Sequence, residues 1–221
     1  MVAADLVRVI ADHGVDVSKV RNEKDPLAVL QWTSTVGKSG LPGLVDDLLV
    51  AAELRAVESA EPTPGALDVL LAAQKARRST TIVSNNSKPA IMAYLERHHL
   101  SAHVGIVIGR AHGRPEEMKP APTTILTAAR TLRTTPDSCV LIGDSVSDIV
   151  AALAAGSAAV GYANKPHKRS ALSLAGANAG GRDAGGRAST SESIDNLTRS
   201  RGGQIKPGRL ACRCSDLVCG A

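Results

Sequence analysis

Apolar residues recur with helical spacing over the first sixty positions. In VAADLVRVIADHG they fall at positions 2, 6, 9 and 10, and Gly14 stands where such a helix would stop. In DPLAVLQW, Asp25 is placed to cap a second helix and Pro26 to open it, because the first helical position gives up an N–H that has no partner there anyway. A third helix is predicted from Leu41 to about Ala60, started by Pro42. Pro62 and Pro64-Gly65 then punctuate the chain, and the pattern changes to an alternation. A helix GALDVLLAAQKARR leads to an apolar run TTIVSNN, a helix PAIMAYLERHHL to the run VGIVIGR, a helix TTILTAARTL to the run SCVLIGDS, and a helix DIVAALAAG to a short AAVGYAN. Strands and helices in turn, with short connections, predict βαβ units: an α/β fold with a parallel, doubly wound sheet covered by helices on both faces.

Three regions follow from this pattern: a helical region over residues 1–60, an α/β core over 61–178 and a tail over 179–221. The tail, AGGRDAGGRASTSESIDNLTRSRGGQIKPGRLACRCSDLVCGA, is rich in Gly, Ser and Arg, and its few apolar residues do not repeat. Such a segment buries too little surface to offset chain entropy, so it is expected to be disordered apart from a turn of helix near Ser191 to Leu197.

Composition adjusts this picture in two places. The 221 residues are 43% hydrophobic but only 1% aromatic, with no Phe, so the core must be assembled from Ala, Val, Leu and Ile. The net charge of +5 suggests a nucleic-acid partner until it is located. Residues 169–221 hold eight Lys and Arg against four Asp and Glu, which assigns most of the excess to the tail. With no aromatic residue there for base stacking, a solvated tail is the better reading, and nucleic acid is not expected as a partner. No run of eighteen apolar residues occurs, and the N-terminus lacks a basic then apolar leader, so a cytoplasmic protein with no membrane partner is expected. Cys139 lies inside an apolar run and reads as a small buried hydrophobe; Cys212, Cys214 and Cys219 lack an evident fourth metal ligand. The six histidines show no paired metal spacing, and Trp32 reads as packing between helices.

In doubly wound sheets, ligands sit beyond the carboxyl ends of the strands. That rule selects Ser84 and Asn85 after the first strand and Gly143, Asp144 and Ser145 after the third, with Lys119 in the segment MKPAP between them. Taken singly, each is ordinary: a helix cap, a solvated lysine, an acid at a helix start. Together they are the types that phosphoryl transfer needs. A hydroxyl and backbone N–H groups at a helix entry, Ser84 and the amide after it, hold the equatorial oxygens. A fixed cation, Lys119, neutralises developing charge. A magnesium ion takes one or two carboxylates with water and substrate oxygen, which suits Asp144, with Asp148 one turn along as second ligand or orienting partner.

With these residues in this order, residues from about 62 to 178 resemble the haloacid dehalogenase superfamily of hydrolases, and in particular its small phosphatases of the phosphoglycolate phosphatase kind. The resemblance rests on VSNN, MKPAP and GDSVSD, with PTPGALDVL before the first of them and AAGSAAVGYANKP after the last. It implies that Ser84 and Asn85 bind phosphate, that Lys119 is the catalytic lysine and also contacts substrate, and that Asp144 and Asp148 form the metal motif. It further implies a Mg2+ cofactor, a small phosphorylated substrate, hydrolysis through an aspartyl-phosphate, and a helical cap formed by residues 1–60. It says nothing of oligomeric state.

The family's first motif, DxDx[TV], carries the nucleophile at the end of a strand that precedes the cap. These 221 residues contain no Asp-x-Asp, and Asp46-Asp47 has the wrong spacing and lies in a helical pattern. The resemblance would place that strand between those ending in Ser84 and Asp144, so the sheet is expected to lack its central strand. Two readings remain open: a hydrolase whose true N-terminus lies upstream of this sequence, or a catalytically inactive remnant or binding module of the same fold.

Overall fold

A computed structural model describes residues 2–177 and the backbone of residues 209–212. Three helices come first, α1 (Val2–Asp12), α2 (Pro26–Thr33) and α3 (Leu41–Val57), followed by α4 (Ala66–Lys75) and β1 (Thr80–Val83). Then come α5 (Lys88–Arg97), β2 (Ile106–Ile108), α6 (Thr123–Thr131), β3 (Cys139–Gly143), α7 (Val146–Ala154), β4 (Ala158–Gly161), α8 (Lys168–Leu174) and β5 (Arg209–Cys212). The predicted alternation is present. Asp25 caps α2 as expected, its carboxylate accepting the N–H of Leu27 at 2.9 Å. Just before it, the Glu23 carboxylate accepts the N–H groups of Asp25 and Lys24, and these bonds hold its pKa below the ordinary carboxylate value. Helix α8 was not foreseen; its one buried residue, Leu172, leaves little amphipathic signal.

The five strands are parallel, in the order β2-β1-β5-β3-β4. Side chains alternate between two faces, and each face has its own apolar layer. On one, Ile82 packs with Val57 and Leu70 from α3 and α4 and with Ile91, Tyr94 and Leu95 from α5. On the other, Val83, Leu141 and Ala159 pack with Ile125 and Ala128 of α6, Ile149, Ala151 and Ala152 of α7, and Leu172 of α8. Alanine takes many of the places a larger side chain would fill, as the near absence of aromatics requires. Full burial of Leu141 and Ile149 is worth about 1.5–3 kcal/mol each.

The centre of the sheet departs from expectation. The position thought to stand empty holds β5, with Thr81 and Leu141 both in register with Ala211. A strand pairing on both sides satisfies the N–H and C=O groups that β1 and β3 would otherwise leave unpaired. The tail's composition could not reveal this, because RLAC is four residues long and its neighbours carry no strand pattern. The remainder of the tail, including the turn of helix near Ser191 to Leu197 and the cysteines at 214 and 219, lies outside the described residues.

Helices α1 to α3 form a separate apolar cluster, with Leu6, Ile10, Val29, Leu30, Val45 and Leu49 at its centre. Trp32 packs against it, in line with the packing role read from the sequence. Met118, 2% exposed, joins the same cluster, so the residue before Lys119 is anchored among helices α1 to α3. Among the described residues no helix is long and apolar enough to cross a membrane.

Candidate active site

Ser84, Asn85, Lys119, Asp144 and Asp148 sit at the carboxyl edge of the sheet, in the segments that leave β1 and β3 and in the loop before α6. The turn after β1 is built by hydrogen bonds from its own side chains. Ser84 donates its N–H to the carbonyl of Ile108 (3.0 Å), and its hydroxyl accepts the N–H of Asn86 (3.1 Å), which holds the hydroxyl against the entrance of α5. Ser87 caps that helix, accepting from the N–H of Ala90. Asn85 is bonded reciprocally to Lys119: its amide donates to the Lys119 carbonyl (3.1 Å) and its side-chain oxygen accepts the Lys119 N–H (2.9 Å). Residues thirty-four positions apart are thereby fixed in one place.

Lys119 is 2% exposed, and the peptide bond to Pro120 is cis. Its ammonium donates to the carbonyl of Val83 at the end of β1 (3.1 Å) and pairs with Asp148 Oδ1 at 2.9 Å, both side chains being fully buried. Asp148 is held from the other side by a capping box. Its Oδ2 accepts the N–H of Ser145 (3.1 Å) and the Ser145 hydroxyl (2.9 Å), while Ser145 Oγ accepts the Asp148 N–H (3.3 Å). Helix α7 therefore starts at Val146, two residues earlier than the run DIVAALAAG suggests, with Ser145 as its cap. Gly143 is required by this packing: a Cβ there would lie 2.4 Å from Asp148 Cβ. Asp148 thus has one oxygen on the lysine and the other on the helix cap.

Asp144, 8% exposed, opens the same turn. Its Oδ2 accepts from Lys168 Nζ at 2.6 Å and lies 3.5 Å from the amide nitrogen of Asn164. As a donor set for magnesium this edge fits through one group. Asp144 is a hard carboxylate at the mouth of the turn whose oxygen already faces a cation, and Mg2+ commonly takes only one or two carboxylates, completing its shell with water and substrate oxygen. Asp148 has one oxygen on Lys119 and the other on Ser145 in this arrangement. No group of three or more His, Cys, Asp or Glu side chains able to hold a metal occurs among the described residues.

A second buried cluster was not read from the sequence. Arg110, in the loop after β2, lies between two acids of α3. Its Nε donates to Asp46 Oδ1 at 2.7 Å, its NH2 approaches the same oxygen at 2.6 Å, and its NH1 pairs with Glu53 Oε1 at 2.5 Å. NH1 also donates to the Asn85 carbonyl (3.1 Å), and Glu53 Oε2 accepts the N–H of Ser87 (2.9 Å). Asp46 in turn accepts the N–H of Gly113 (2.8 Å). Helix α3 is thus tied to both ends of the Ser84 turn. Gly109 lets this loop approach, since a Cβ there would meet Lys88 N at 2.4 Å. Sequence separations of 64 and 57 residues hide such pairs from any local pattern. The histidines are structural or solvated: His98 Nε2 lies 2.8 Å from the Ala60 carbonyl oxygen, and the exposed His112 lies 2.8 Å from Asp47.

Known proteins resemble this chain in sequence and in fold. The haloacid dehalogenase-like hydrolase family matches residues 16–156. The chain belongs to this family. Phosphoglycolate phosphatase of Salmonella paratyphi A is 34% identical over 98 residues, covering 44% of this chain and 38% of the relative. Phosphoglycolate phosphatase of Xylella fastidiosa is 34% identical over 120 residues, covering 53% of this chain and 51% of the relative. The chain therefore spans about four tenths to one half of the length of these relatives. Among solved structures, a hydrolase from Pseudomonas syringae superposes with a TM-score of 0.60 at 16% identity, covering 90% of each chain, which shows the shared α/β fold.

Proposed function

We propose that this chain forms the cap and most of the core of a magnesium-dependent phosphomonoesterase acting on a small phosphate ester. The observation that carries this reading is the buried Lys119–Asp148 pair at 2.9 Å, placed beside the Ser84 turn and the Asp144 carboxylate at one edge of the sheet. In this reading Ser84 Oγ and the amides that follow it bind the phosphoryl oxygens, and Asn85 locks the lysine backbone in place. Asp148 holds Lys119 in position as the fixed cation. Asp144 binds magnesium directly, and the ion, when bound, supplies charge neutralisation at the phosphoryl oxygens. The cap helices cover the site and select the ester.

An aspartyl-phosphate route also needs a carboxylate nucleophile, and no Asp-x-Asp occurs in these 221 residues. We place it on an apolar strand carried ahead of them in the working protein. The test is a peptide map of the native protein from its source cells, combined with an assay of that protein on small phosphate esters. Peptides preceding Met1 that contain Asp-x-Asp, together with magnesium-dependent hydrolysis lost in Asp144→Asn, are expected. A native start at Met1 without turnover would overturn the proposal. One observation favours the alternative of an inactive family member: β5 fills the central position, and the sequence after it continues RCSD rather than Asp-x-Asp.

A further inference from the structure

Asp144 is nearly buried and follows β3, on the same turn that carries Asp148 of the buried Lys119–Asp148 pair. A nearly buried carboxylate is stabilised by a close opposite charge when no metal is bound. Lys168 supplies it, with Nζ at 2.6 Å from Asp144 Oδ2. Lys168 is the first residue of α8, where the helix dipole gives a cation no advantage, so the contact with Asp144 accounts for its position better than the helix does. Its side chain is 28% exposed against 10% for Asp144, which leaves the ammonium a path into solvent.

We propose that Lys168 is a built-in competitor for the metal position: its ammonium neutralises Asp144 in the metal-free chain and is displaced when a divalent cation binds. This rests on the reading of Asp144 as the magnesium ligand and adds a residue that sets how much magnesium the site requires. The energetic consequence is an exchange rather than a simple association. Binding must break the Lys168–Asp144 pair and bring a divalent ion close to a positive side chain, so the measured affinity is weaker than Asp144 and its surroundings would give alone.

The experiment is direct titration of the full chain with Mg2+ or Mn2+ alone, by calorimetry or by Mn2+ spin resonance, with no turnover involved. Wild type is compared with Lys168→Met, Lys168→Gln, Lys168→Arg and Asp144→Asn. The expected result is affinity raised about tenfold or more in both neutral variants, little change in Lys168→Arg, and loss of the site in Asp144→Asn. Lys168 is partly exposed, so its variants should fold, and the Gln variant separates charge from hydrogen bonding. Equal affinity in wild type and the neutral variants, with binding still lost in Asp144→Asn, would overturn the competitor and leave Asp144 as the ligand. Binding that survives Asp144→Asn, or absent binding in every protein, would overturn the metal reading and the competitor with it.

Discussion

Replacing Arg110 with Met tests the link between α3 and the Ser84 turn most severely. The guanidinium is about 1% exposed and serves Asp46 and Glu53, themselves about 1% and 7% exposed. Methionine keeps much of the apolar stem and removes the charge, so two buried carboxylates lose their common counter-ion. Each keeps one backbone N–H, from Gly113 at 2.8 Å and from Ser87 at 2.9 Å, and those bonds offset part of the loss. Breaking a buried pair by removing one partner costs about 3–5 kcal/mol. A native domain is stable by only about 5–15 kcal/mol, so the variant should lie near the edge of folding. Urea denaturation followed by helical circular dichroism would read the loss as a lower midpoint at an unchanged slope. At roughly 2–4 °C per kcal/mol for a domain of this size, the thermal midpoint should fall by about 6–20 °C. The triple variant Asp46→Asn, Glu53→Gln, Arg110→Met removes all three charges and should recover most of the stability, since a buried ion cluster contributes little relative to neutral groups of similar shape. A cost below about 1 kcal/mol for Arg110→Met alone would refute the reasoning, because it would mean that water already screens these acids.

The Lys119–Asp148 pair yields a double-mutant cycle: Lys119→Met and Asp148→Asn should each cost about 3–5 kcal/mol, and the double variant clearly less than their sum, as read from urea unfolding. Additive costs would show that the two groups do not sense each other. Gly143→Ala places a methyl group against Asp148 Cβ and should cost about 1–3 kcal/mol of overpacking, seen as a lower melting temperature. Ala211→Pro removes an N–H from a strand paired on both sides and should broaden or abolish the cooperative transition, whereas an unchanged transition would place β5 outside the stable sheet. Phosphate-dependent protection of the Ser84–Ser87 amides from hydrogen exchange should fall in Glu53→Gln, because that carboxylate holds the Ser87 N–H.

Much of this molecule was legible because its signals are local. TTIV and CVLIG are apolar runs too short for helices, and Asp25-Pro26 is a helix start in two letters. That Ser84 and Asp144 would lie at one edge of the sheet was legible because they follow apolar runs that end there. What escaped is whatever depends on distant partners. Asp46 and Glu53 look like solvated acids on a helix until Arg110 is brought between them. Asp148 could be placed near Asp144, but its pairing with Lys119 depends on Ser145 and on the missing Cβ of Gly143. The central strand was hidden for the opposite reason: its own four residues are unremarkable, and only the open position between β1 and β3 gives them a structure.

That position has a consequence for the order in which the protein can be made. Among the described strands β1 and β2 emerge first with α5, β3 and β4 follow as a second pair, and Arg209–Cys212, which bridges the two pairs, is the last of the five to be made. In a chain that starts at Met1, two half-sheets therefore wait, each with an open flank, while the chain between Leu141 and Ala211 is made. Through that interval the open flanks can recruit strands from other nascent chains, and the yield of folded protein becomes a matter of translation speed and chaperone supply as much as of final stability.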